Sequence, residues 1–132
     1  MGSEKVRMTT PANIVVGLGS AKEGVGHWWM QRVSSIALMP LTLLFVVPFG
    51  QTIGDGYEAV RALYAQPLHA LIAILFILTN FWHLAQGLQV VIEDYVEHKG
   101  ARTLMLLGNT MFCGLCAVAG VFAVAKLAFV GV

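Results

Sequence analysis

Between Ala73 and Tyr95 the chain reads AILFILTNFWHLAQGLQVVIEDY. It opens as unbroken hydrocarbon, carries a histidine, His83, near its middle, and closes on the cluster Glu93-Asp94-Tyr95. Its apolar part lies in one of three charge-free runs. No Asp, Glu, Lys or Arg occurs between Arg32 and Asp55, between Arg61 and Glu93, or between Arg102 and Lys126. Each run exceeds the roughly 20 residues with which a helix crosses about 30 Å of hydrocarbon. Lipid offers no partners to backbone N–H and C=O groups, so such spans must be helices. The expected fold is all-α and integral to a membrane, with three transmembrane helices.

Composition agrees with that class. Of 132 residues 58% are hydrophobic and 11% charged, with a mean hydropathy of +0.76. Soluble domains carry about 25% charged residues. A net charge of +1 gives no pull toward nucleic acid. Residues 1–26 lack the apolar core of a secretory signal and are not an Arg-rich, acid-poor transit sequence. The expected location is the bacterial inner (cytoplasmic) membrane. Cys113 and Cys116 have a C-x-x-C spacing that elsewhere raises redox or metal chemistry. Inside an apolar span they are expected to pack against a neighbour.

Residues 1–26 are expected to form a cytoplasmic N-terminal tail and residues 27–132 a three-helix membrane anchor domain, with helices at about 28–50, 67–93 and 103–129. The tail's Gly17-Leu18-Gly19-Ser20 lacks the lysine and the strand–helix context of a phosphate loop. The first helix opens on Trp28-Trp29, matching an interfacial aromatic belt. Its first turns carry Gln31, Arg32, Ser34 and Ser35, and Pro40 and Pro48 kink or end it. A short amphipathic piece is expected at about 57–64, and Pro67 suits the first turn of the second span. Gly108, Gly114, Ala117 and Gly120 offer a small-residue surface on the third. Lys5, Arg7, Lys22, Arg32, Lys99 and Arg102 fall on one side and Arg61 and Lys126 on the other. Positive-inside then puts the N-terminus in the cytoplasm and the C-terminus in the periplasm.

An imidazole at the depth of His83 has three readings: a neutral group bonded to a neighbouring helix, a proton relay, or an axial ligand to haem iron. Gly87, one turn on, leaves room for a flat macrocycle on the same side. A relay needs further ionisable groups at depth, and the other two spans have none. His69 is about 21 Å away along the helix and cannot reach the same iron; it reads as a hydrated surface histidine. At the helix mouth, Tyr95 and a nearby Asp94–Arg32 pair, with His27 at the same level, supply the donor and proton source that a quinone carbonyl requires. Interfacial Tyr and hydrated charges at a helix end satisfy the same residues without a ligand.

Taken together, His27-Trp28-Trp29-Met30-Gln31-Arg32, His83-x3-Gly87 and a terminal Asp94-Tyr95 twelve positions after the histidine resemble the small hydrophobic membrane anchor family of succinate dehydrogenase (respiratory complex II). The resemblance covers about Gly17 to the C-terminus. It implies that His83 is an axial ligand of haem b, the other ligand coming from a companion cytochrome b subunit. It implies that Tyr95 bonds ubiquinone, the substrate, with Asp94, Arg32 and His27 close to the quinone and haem propionates. It also implies an iron–sulfur subunit and a flavoprotein subunit as partners, which carry the iron–sulfur clusters and FAD. No catalytic residue for succinate is then expected on this chain. The alternatives are the anchor of a fumarate reductase and a non-redox small membrane protein in which His83 packs.

Overall fold

The computed structural model describes residues 24–129; the tail readings, Gly17-Leu18-Gly19-Ser20 included, fall outside them. The described chain is helical: α1 (Gly24–Gln51), α2 (Tyr57–Tyr64), α3 (Pro67–Tyr95) and α4 (Lys99–Phe129). α1, α3 and α4 are each long and apolar enough to cross a membrane, as the three charge-free runs require.

The helix ends follow local chemistry more than composition. α1 begins at Gly24, so two glycines and His27 join the helix ahead of the tryptophans. The apolar run propagates backwards over them, despite about 1 kcal/mol per glycine. α3 continues through Asp94 to Tyr95 and α4 starts at Lys99, leaving a connection of three residues. That turn is held by side chains. The Ala101 N–H donates to His98 Nδ1 at 3.3 Å, and Arg102 Nε donates to the Val96 carbonyl at 3.0 Å. His98 thus takes over an orphan donor at the start of α4. Between α1 and α2, Gly54 and Gly56 turn the chain at φ of +99° and +83°, where a Cβ is strained. Pro67 stands in the first turn of α3.

The three long helices form one layer with α3 in the middle. α1 and α4 each pack along α3, and among the described residues no close backbone approach joins α1 to α4. Both neighbours run antiparallel to α3. Phe45 stacks on Phe76 at 4.5 Å near one end of the α1–α3 seam, and Ser34 meets His83 further along it. Tyr64, Ala70, Ala73 and Val124 make a small buried cluster at the α2 end, with Phe45 and Ile77 against it. Burial there raises the Tyr64 phenol above its ordinary value.

The small-residue surface of α4 is used at one point. A Cβ on Gly120 would lie 3.0 Å from Ile77 Cγ2, so that glycine permits the close approach of α3 and α4. Gly108 and Gly114 face open space. Further along, Asn109 Nδ2 donates to the Ala85 carbonyl at 2.8 Å, and Cys113 Sγ lies 3.5 Å from Asn109 Oδ1. Cys113 is buried and both cysteines are free.

Candidate functional site

α1 delivers two polar side chains to His83. Gln31 and Ser34, three residues apart, share the face of α1 that meets α3. Ser34 is buried, and its Oγ lies 2.9 Å from His83 Nδ1. The same hydroxyl donates to the Gln31 carbonyl at 3.0 Å, and Ser35 donates to that carbonyl at 2.8 Å. Gln31 Nε2 is 3.5 Å from His83 Nε2, at the limit of a hydrogen bond.

Ser34 has one hydrogen to share between its contacts to the Gln31 carbonyl and the imidazole. With that hydrogen on the carbonyl, the Ser34 oxygen accepts at the imidazole and Nδ1 carries the N–H. In that tautomer the Nε2 lone pair meets only the long contact to Gln31. The first reading of His83, a bond to the neighbouring helix, is thus present, and it leaves the other nitrogen for the third. The His83 ring also borders an open, apolar groove of about 750 Å³ lined by Ser35, Leu38, Met39, Pro40, Thr42 and Leu43. The side of Gly87 expected to admit a macrocycle is occupied by α1: a Cβ there would lie 3.6 Å from Gln31 Nε2.

The residues of the helix mouth do not form a single constellation. His27 borders a cavity of about 200 Å³ with Trp82, Gln86, Gln89 and Thr110, between all three long helices. His27 Nε2 and Gln86 Oε1 are buried without hydrogen-bond partners. Arg32 lies elsewhere on α1, exposed and stacked over Trp28 at 5.2 Å, a cation–π contact. Asp94 and Tyr95 stand exposed at the end of α3, Tyr95 at 82%. The expected Asp94–Arg32 pair is not formed: the ion pair found among the described residues is Arg61–Glu58 at 3.5 Å. Arg32 satisfies itself on an aromatic face of its own helix. All four residues nevertheless belong to one end of the layer, because α1 begins where α3 finishes.

Sequence reasoning picked out His83 but did not connect it to Ser34 and Gln31. The available signal was a polar pair spaced i, i+3 at the inner edge of a polar helix mouth. Among the described residues no three His, Cys, Asp or Glu side chains gather into a metal-sized cluster, so a metal would meet this chain through single ligands.

The family described as succinate dehydrogenase/fumarate reductase transmembrane subunit matches residues 6–122. The chain belongs to that family. It is 34% identical to the succinate dehydrogenase hydrophobic membrane anchor subunit of Paracoccus denitrificans, over 92% of this chain and 94% of that protein. It is 31% identical to the subunit of the same name from Rickettsia bellii, over 80% and 85%. The succinate dehydrogenase membrane anchor subunit of Reclinomonas americana is 28% identical over 64% and 73%. No solved structure matches. As a membrane anchor subunit of succinate dehydrogenase with three apolar spans, this is a multi-pass inner-membrane protein.

Proposed function

We propose that this chain anchors succinate:ubiquinone oxidoreductase in the membrane, ligates haem b through His83, and builds part of the ubiquinone site with Tyr95, Asp94, Arg32 and His27. One observation carries the haem reading. His83 has its Nδ1 tied to a second helix and its Nε2 without a strong partner, beside an apolar groove. Metal-bound imidazoles have that form: the far nitrogen donates to a fixed acceptor, which sets the tautomer and the ring plane. The residues fit a haem ligand: His83 Nε2 would hold the iron, and Gln31, at 3.5 Å, would be the group to give way. Haem b, when bound, supplies a one-electron store within the membrane. The haem's other ligand would come from a companion cytochrome b subunit, since α1 and α4 offer no imidazole at this depth.

The quinone reading rests on position. Tyr95 lies twelve residues beyond His83, about 18 Å along the helix, and leaves its phenol exposed to a neighbouring subunit. A phenol donates to a quinone carbonyl, and Asp94 beside it relays protons from water as the quinone is reduced. Arg32 holds positive charge at the same end of the layer. His27, facing inward with an unpaired Nε2, lies behind that mouth.

The residues ahead of α1 then lie in the cytoplasm, α1 to α4 make up the membrane anchor, and the C-terminus is periplasmic. The connection from Val96 to His98 lies in the cytoplasm, where an iron–sulfur subunit and its flavoprotein partner dock. Succinate is oxidised on those partners, and this chain positions its quinone. The names of the relatives favour succinate oxidation over fumarate reduction as the physiological direction. A reduced-minus-oxidised spectrum of the purified complex tests the haem assignment. The b-type α-band is expected to vanish in His83→Ala; an unchanged band sinks the assignment and leaves His83 as a packing residue.

A further inference from the structure

We infer that Ser34 is the positioning residue for His83: its hydroxyl accepts a hydrogen bond from Nδ1–H, donates one to the Gln31 carbonyl, and so presents Nε2 as an oriented base. The inference rests on the proposed ligation of iron by His83. Three features of the structure carry it. The hydroxyl is within hydrogen-bond distance of both groups, 2.9 Å from the ring nitrogen and 3.0 Å from the carbonyl. Ser34 is 7% exposed, so water does not compete for either bond. The hydrogen count permits one arrangement that satisfies both contacts. If Ser34 instead donated to Nδ1, its oxygen would face the Gln31 carbonyl at 3.0 Å with no hydrogen between them.

The acceptor stands on α1 and the imidazole on α3, so the bond is also made across the helix seam. A ring held only by its own helix can rotate about its Cβ–Cγ bond and exchange tautomers. Ser34 prevents both. Donation from Nδ1 makes the opposite nitrogen more basic, which favours the oxidised iron and lowers the midpoint potential.

Four variants of position 34 in the purified complex separate chemistry from bulk. Serine and threonine carry the hydroxyl; alanine and valine lack it, and valine has the shape of threonine. The readouts are haem per complex, the haem midpoint potential and the low-spin electron paramagnetic resonance signal. Ser34→Thr should keep all three near those of the parent. Ser34→Ala and Ser34→Val should weaken haem retention about 10- to 100-fold, raise the potential and shift the resonance. If the values group by size, Ser with Ala and Thr with Val, or do not change, the inference is overturned. His83→Ala run beside them keeps the two ideas apart. Haem lost in His83→Ala but unaffected by position 34 leaves ligation standing and removes Ser34; haem retained in His83→Ala removes ligation itself.

Discussion

His83 was conspicuous in the sequence because an imidazole among Leu, Trp and Phe has few ways to be satisfied in lipid. Its partners were not, because one sequence does not contain the register between two antiparallel helices. Sliding α1 by one residue turns its facing side chain by about 100°, which replaces Ser34 with Val33 or Ser35. The spread of the mouth residues was more legible than it looked. His27 and Arg32 are five residues apart, which places them about 140° apart around a helix. One faces the inter-helix cavity and the other the surface, so they reach a common ligand only from two sides. Tyr95 tests the quinone assignment at this scale. Tyr95→Phe should depress quinone reduction while succinate oxidation by an artificial acceptor stays near the parent rate. A parallel fall in both activities shows Tyr95 acting on assembly instead.

At the level of helices, the spans were readable because charges mark their limits, while the ends were not. Glu93 and Asp94 suggest a terminus, yet the helix runs through them until Val96 adopts an extended backbone and His98 caps the next helix. The α3–α4 seam has two fasteners of different kinds. Asn109→Ala removes the bond to the Ala85 carbonyl, and inter-helix bonds in membranes average about 0.6 kcal/mol, reaching about 1.7. Gly120→Ala drives a methyl group against Ile77, and overpacking of this sort costs about 1–3 kcal/mol. Gly114→Ala enters open space and should be close to neutral within this chain. Detergent-induced unfolding of the purified complex should rank Gly120→Ala and Asn109→Ala below the parent, with Gly114→Ala beside it. Equal losses at Gly114 and Gly120 would place another subunit's helix against Gly114.

For the whole molecule, the cation count sets an orientation that labelling can read. A membrane-impermeant maleimide should modify Glu97→Cys from the cytoplasmic side and Ile53→Cys from the periplasmic side, in a background with Cys113 and Cys116 changed to Ala. The reverse pattern would invert the assignment and move the mouth of Tyr95 to the periplasm. The single-layer arrangement bears on how the protein tolerates change. A bundle encloses a volume, and its intolerant positions scatter through that volume. Here α3 lies between α1 and α4, whose backbones do not approach each other among the described residues, so most of what is enclosed follows two seams. A saturation scan of this subunit expressed by itself should show intolerance as two narrow lines running along α3. In the assembled complex the same scan should broaden those lines into patches, and the added width maps where other chains have turned the faces of the layer into an interior.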